Sequence, residues 1–370
     1  MSTIAIVAGA RPNFMKIAPI ARALREQDGQ GGLGFQIVHT GQHYDPEMND
    51  VFFAELGIPE PDVCLGAGSG SHAQQTAKIM VAFEQYCQTA RPNLVLVVGD
   101  VNSTLACAIV AKQQRIPVAH VEAGLRSGDM TMPEEINRIV TDSIADLCFA
   151  TEPSGVTNLL REGKPRERVH HVGHVMVDNL LYQLDRLAAT DTSGFASAAI
   201  RARLPRFGAV TLHRPSNVDD PAVFARVASA LREISRRLPL VFPLHPRTRA
   251  NLDKYGIDLG TGVALTPPLS FMDFLHLWVD ATVVLTDSGG LQEETTALGV
   301  PCITIRETTE RPITVEEGTN VVVGTDPVRI TDAAFQVMRG AGKRGRRPEL
   351  WDGRSAKRIV TILRDALGAA

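Results

Sequence analysis

Val95-Leu96-Val97-Val98-Gly99-Asp100, Ala119-His120-Val121-Glu122-Ala123-Gly124 and Val283-Val284-Leu285-Thr286-Asp287-Ser288-Gly289-Gly290 follow one plan: a short apolar run stops on a polar turn. Uninterrupted Val-rich runs of this length read as strands buried on both faces, the signature of a parallel sheet. In open α/β sheets ligands bind beyond the carboxyl ends of the strands. Asp100, Glu122 and the Ser-Gly-Gly turn all fall there. A Ser-Gly-Gly turn that opens a helix suits phosphate, because free N–H groups and the positive end of the helix dipole point outward. Acids together with such a turn suggest chemistry on a phosphate-activated substrate.

The same run recurs outward in both directions. In the first half it covers residues 4–7, 35–39, 94–98, 118–121, 147–150 and 169–172. In the second half it covers 209–212, 240–244, 263–265, 283–285, 302–305 and 321–323. The intervening stretches are long enough for crossover helices. Residues 104–114 are dominated by Ala and apolar side chains, and residues 222–238 place Val223, Val227, Leu231 and Ile234 on one helical stripe. The pattern predicts an α/β protein of two doubly wound halves, with domains at 1–172 and 173–354 and a terminal helix within 355–370 that packs back on the first. A cleft between two such domains is a favoured ligand site.

At 370 residues the chain exceeds one typical core, which also favours two domains. A formal net charge of -3 gives no general case for nucleic acid or an acidic membrane. The one basic stretch, Lys343-Arg344-Gly345-Arg346-Arg347, lacks interleaved aromatics and reads as a solvated loop. Five scattered cysteines with no C-x-x-C argue against a disulfide framework. The amino terminus has no basic n-region with a long apolar stretch behind it, and no run is long and apolar enough to span a membrane. The expectation is a cytoplasmic protein.

Several motifs carry chemistry. Gly9-Ala10-Arg11-Pro12 matches neither G-x-G-x-x-G nor the G-x-x-x-x-G-K-[ST] loop. Pro12 suits a first helical position, so Arg11 and Lys16 become two cations at a strand end, either holding an anion or solvated. Ser288 is not followed by Glu or Gln at the third position, so a capping box fails and phosphate contact through Ser288, Gly289 and Gly290 gains weight. Glu294 is placed to accept from ribose hydroxyls, and with Glu293 it also suits the helix dipole. Asp100, Glu122 and the pair Glu134-Glu135 are candidate acids and bases. The plainer readings are that Asp100 caps a helix from Asn102 and that Arg126 or Arg138 pairs with Glu134. His213-Arg214 follows a strand and suits phosphate contact, proton carriage or a structural role. His120-Val121-Glu122 gives half of a zinc deaminase signature, but the P-C-x-x-C half is missing, so no metal site is expected.

Taken together these stretches resemble the non-hydrolysing UDP-N-acetylglucosamine 2-epimerases over nearly the whole length. The resemblance is carried by Gly9-Ala10-Arg11-Pro12 with Lys16, Thr40-Gly41-Gln42-His43, residues 99–104, His120-Val121-Glu122-Ala123-Gly124-Leu125-Arg126, Pro133-Glu134-Glu135-Ile136-Asn137-Arg138, His213-Arg214, residues 286–294 and Thr308-Thr309-Glu310-Arg311-Pro312. It implies two Rossmann-like domains of the GT-B type facing a cleft. The first would carry the acids that act on the sugar and the second the UDP site. Arg11, Lys16, His213, Ser288, Gly289, Gly290, Glu294 and Arg311 fall on UDP-binding positions, and Leu269 and Phe274 on uracil-contacting ones. Asp100, Glu122, Glu134 and His213 fall on positions for catalysis or sugar binding, with Arg138 and Arg214 beside them. The implied reaction interconverts UDP-N-acetylglucosamine and UDP-N-acetylmannosamine through 2-acetamidoglucal. It needs no cofactor, and the resemblance further implies a homodimer.

Departures from the family pattern bear on regulation. Regulated bacterial members commonly read H-R-R-E-N where this chain has His213-Arg214-Pro215-Ser216-Asn217, and Arg-Gln-Thr where it has Gln74-Gln75-Thr76. Gln42, His43 and His245 remain as a remnant of an allosteric site. Alternatives are a 2-epimerase of a related sugar such as a UDP-diacetamido uronic acid, a hydrolysing epimerase, a glycosyltransferase of the same fold, and a non-catalytic nucleotide-sugar sensor.

Overall fold

The computed structural model describes residues 2–26, 33–41, 53 and 55–368. The chain forms two compact units, Met1–Tyr182 joined by Glu349–Ala370, and Gln183–Pro348. The division falls inside the helix Val175–Ala188 rather than at Val172, because Val172 and Val175 both belong to the first unit's core. Each unit is an α/β doubly wound sheet, the expected fold class.

In the first unit the strands are β1 (Thr3–Ala8), β2 (Gly34–His39), β3 (Val63–Cys64), β4 (Leu94–Val98), β5 (Val118–Val121), β6 (Leu147–Ala150) and β7 (Val169–His171). They lie in the order β3-β2-β1-β4-β5-β6-β7, and every pairing is parallel. The order reverses direction between β1 and β4, which makes the ends of those two strands the topological switch point. β4 is buried along its full length, as a strand covered by helices on both faces must be. The terminal helix Ser355–Gly368 places Ile359, Val360 and Leu363 in the same core as Ile17, Ile20 and Leu24 of the helix Arg11–Glu26. Trp351, wholly buried, donates its indole N–H to the Thr151 carbonyl at 3.3 Å and fastens the returning segment.

The second unit repeats the plan with β8 (Gly208–Thr211), β9 (Leu240–Pro243), β10 (Val263–Thr266), β11 (Val283–Thr286), β12 (Cys302–Thr304) and β13 (Asn320–Val322). The order is β10-β9-β8-β11-β12-β13, again parallel, with the switch point between β8 and β11. The helix Pro221–Ser235 is capped by Asp220, whose carboxylate accepts from the Ala222 and Val223 amides, and it buries Val227, Leu231 and Ile234. Proline opens this helix and others such as Pro133–Ile144 and Pro246–Tyr255, where its missing N–H costs nothing. The basic stretch is mostly solvated, but Lys343 departs from that reading. Its ammonium donates to the carbonyls of Val315 and Asn320.

Candidate active site

At the first unit's switch point, local geometry is set by Asn13. Its side-chain oxygen accepts from the Gly9 and Ala10 amides at 3.1 and 3.0 Å, and its amide donates to the Val98 carbonyl at 3.3 Å. The turn after β1 is thereby tied to the end of β4. Lys16, one helical turn on, forms an ion pair with Glu122, whose side chain is only 3% exposed. Glu122 has φ +69, a left-handed conformation that non-glycine residues adopt only when the surroundings enforce it, and one that clusters at functional sites.

Asp100 does not cap the helix Asn102–Gln113, whose N-cap is Val101. Its carboxylate instead accepts from Arg138 Nε at 3.0 Å and Nη2 at 2.7 Å. The third Arg138 contact goes to Glu135 at 2.6 Å. Burial opposes the Glu135 charge, but the Ser127 and Gly128 amides and Arg138 outweigh it and hold the carboxyl below its ordinary value. Glu135 therefore anchors the loop that follows Arg126. Glu134, half-buried at the start of the helix Pro133–Ile144, pairs with neither candidate arginine. Arg138 is taken as above, and Arg126 bridges Asp142 at 2.8 Å and Glu162 at 2.6 Å. His120 is wholly buried, with its ring nitrogens facing Asp142 at 2.6 Å and the Gly99 carbonyl at 2.8 Å.

In the second unit the organising residue is Asp287, which sequence reasoning quoted but did not single out. Wholly buried at the end of β11, it accepts from the amides of His213 and Arg214 at 3.0 Å each and from Asn217 Nδ2 at 3.1 Å. The Asp287 carboxylate also lies 3.1 Å from His213 Nδ1. A ring N–H held on a carboxylate fixes the tautomer and leaves Nε2 for a ligand. His213, half exposed, lines a cavity of about 230 Å³ with His245, Leu269, Ser270, Phe271 and Phe274. His245 caps the helix Pro246–Tyr255 by accepting from the Arg247 amide at 3.2 Å.

Ser288 precedes the helix Gly289–Leu298 and makes no side-chain capping bond. A Cβ added at Gly289 or Gly290 would meet nothing within 4 Å, so the helix mouth is open. Arg311 pairs with buried Glu293 at 2.5 Å, and its amide donates to the Thr309 hydroxyl at 3.0 Å. Thr309 in turn donates to Gln292 at 2.6 Å, which docks the loop on the same helix that carries half-buried Glu294. Arg214 lies 3.9 Å from Glu310, which Arg306 grips through two 2.8 Å bonds. Although burial opposes its charge, these arginines bring the Glu310 carboxyl down to about 2. Gln42 and His43 lie outside the described residues, as does the side chain of Arg11. Among the described residues no group of three or more His, Cys, Asp or Glu side chains could hold a metal ion, and no helix is long and apolar enough to cross a membrane.

The family model described as UDP-N-acetylglucosamine 2-epimerase matches residues 25–364. The chain belongs to that family. The UDP-N-acetylglucosamine 2-epimerase of Methanococcus maripaludis is 35% identical over 98% of both chains. A UDP-2,3-diacetamido-2,3-dideoxy-D-glucuronate 2-epimerase of Pseudomonas aeruginosa is 41% identical over 90% of this chain and 91% of its own. Among solved structures, the Methanocaldococcus jannaschii UDP-GlcNAc 2-epimerase in complex with UDP-GlcNAc and UDP has a TM-score of 0.84 at 37% identity. That match covers 98% of this chain and 99% of that one.

Proposed function

We propose that the protein interconverts UDP-N-acetylglucosamine and UDP-N-acetylmannosamine by eliminating and re-adding UDP. The C2 hydrogen of the sugar is not next to a carbonyl, so removing it directly is too costly. Elimination avoids this. A base takes the C2 proton, the C1–O bond breaks with its electron pair leaving on UDP, and a C1–C2 double bond forms. The proton then returns to the opposite face of C2 as a UDP oxygen adds back to C1. The sequence is redox-neutral and calls for no electron carrier.

The observation that carries this reading is the pair of held acids at the first unit's strand ends: Asp100 held by Arg138 and Glu122 held by Lys16 in a left-handed backbone, with Glu134 on the helix that carries Arg138. Groups in such different environments can take opposite acid and base roles around C2. The second unit supplies what a departing diphosphate requires, an open helix mouth at Ser288, Gly289 and Gly290 with His213 fixed by Asp287. Arg11, Lys16 and Arg311 add positive charge, Leu269 and Phe274 offer an apolar seat for uracil, and Glu294 suits ribose. Arg138 and Arg214 orient their acidic neighbours.

The 41% identity to a diacetamido uronate epimerase favours a second reading, in which the same reaction runs on that UDP-uronic acid. Each UDP-sugar is incubated with the protein alone and the products are separated by chromatography. The expected result is UDP-N-acetylmannosamine from UDP-N-acetylglucosamine with little accumulated UDP. Stoichiometric free UDP would indicate a hydrolysing enzyme. Conversion of the uronic acid alone would transfer the assignment to that sugar.

A further inference from the structure

His120 plays no part in the chemistry above, yet it is wholly buried, two residues before Glu122 and against the carbonyl that precedes Asp100. Its Nε2 lies 2.8 Å from the Gly99 carbonyl oxygen and its Nδ1 2.6 Å from Asp142 Oδ1. A carbonyl oxygen only accepts, so Nε2 donates to Gly99, and Nδ1 is left facing the Asp142 carboxylate. Burial opposes the Asp142 charge, but His120 and Arg126 outweigh it and hold the carboxyl below its usual value. The other Asp142 oxygen accepts from the Gly124 amide at 3.0 Å and meets Arg126 at 2.8 Å.

One buried pair thus holds the carbonyl one residue before Asp100 and the amide two residues after Glu122. Both anchor points are left-handed glycines, Gly99 at φ +67 and Gly124 at φ +83. A side chain is strained at either φ, and only at Gly124 does it also meet fixed backbone. A Cβ at Gly99 would lie 2.8 Å from Lys16 Nζ, and one at Gly124 would lie 2.2 Å from the Gly155 carbonyl oxygen. We propose that His120 and Asp142 form a positioning pair that sets the reach of Asp100 and Glu122 toward the sugar. The inference rests on the reading that those two acids work at C2.

A kinetic double-mutant cycle in the full-length protein tests it. His120→Asn is expected to lower kcat about 10- to 100-fold, the scale of an acid misplaced by around an ångström. KM and calorimetric UDP affinity should stay within about threefold. In an Asp100→Asn background, and separately in a Glu122→Gln background, the same change should cost several-fold less than in the parent, because one of the two acids it serves is already gone. A general structural defect would multiply in full in both backgrounds, and that outcome overturns the proposal. So does normal kcat in His120→Asn. An Asp100→Asn enzyme of normal turnover would instead sink the role of Asp100, and the pair's function with it. Should His120→Asn fail to fold, Asp142→Asn goes through the same cycle.

Discussion

Lys16 and Glu122, 106 residues apart in sequence, form an ion pair at the carboxyl ends of β1 and β5 with both side chains largely buried. A buried pair of this kind is weak evidence for stability, since its desolvation offsets much of its attraction. It does fix where a carboxylate stands. Glu122→Gln, Asp100→Asn and Glu134→Gln are each expected to lower turnover by about 100-fold or more, with UDP affinity little changed. Steady-state kinetics and calorimetry decide this. Near-normal turnover in all three would remove these groups from the acid–base machinery.

His213 and Asp287 separate binding from folding. His213 is half exposed, so His213→Ala should weaken UDP by about tenfold while leaving the unfolding midpoint nearly unchanged. Asp287→Ala leaves the His213 and Arg214 amides and Asn217 without their shared acceptor. It should destabilise by about 1–3 kcal/mol, the scale for partly buried donors that lose their acceptor. Chemical denaturation of the two variants side by side checks the contrast. Equal stability would show that Asp287 is not the hub of that turn.

How much of this was legible in the sequence follows from how local each signal is. Strands buried on both faces must be apolar throughout, so β4 and β11 announced themselves, and the residues that end them pointed to Asp100 and Ser288. β3 has two residues and gives no run to read. Asp142, Asn13 and Asp287 escaped notice because their partners lie 22, 85 and 74 residues away. A lone polar residue at a strand end or in a helix carries no local pattern that distinguishes a hub from a cap. Lys343 was misread for a related reason: it satisfies carbonyls 28 and 23 residues upstream, which composition cannot reveal.

Acid should weaken the second unit through Glu310. Its folded-state value of about 2 lies below the ordinary 4.5, so the stability it contributes is present above 4.5 and is lost as pH falls toward 2. The shift corresponds to at most roughly 3 kcal/mol, and solvent screening at this partly exposed carboxylate lowers it to about 1–2 kcal/mol. Glu310→Gln should be less stable than the parent at neutral pH, and the gap should close as pH falls through that window. Parallel stability curves over the same range would mean that Arg306 and Arg214 contribute little to holding the charge.

Regulation is expected to be simple. Gln74, where an arginine is common in regulated relatives, serves as the capping-box partner of Ser71, at 3.2 and 3.3 Å. Pro215 opens the helix Pro215–Val218 in place of a charged residue. Without those charges a second diphosphate has fewer partners. Hyperbolic kinetics in UDP-N-acetylglucosamine are predicted, along with reverse conversion that needs no activator. Site-to-site coupling of ~1–3 kcal/mol would appear as clear cooperativity. A Hill coefficient well above one, or a lag with UDP-N-acetylmannosamine alone, would show that other residues restore the second site.

The central claim is that the C2 proton leaves and returns without a redox step, and solvent isotope reports on it directly. Proton NMR of the protein with UDP-N-acetylglucosamine in deuterated water, with nothing else added, should show UDP-N-acetylmannosamine carrying deuterium at C2. Remaining UDP-N-acetylglucosamine should then lose its own C2 proton signal as the reverse reaction proceeds. Epimerised product that keeps its C2 proton, or no exchange in either sugar, would contradict proton removal by solvent-exchanging acids and with it the elimination mechanism.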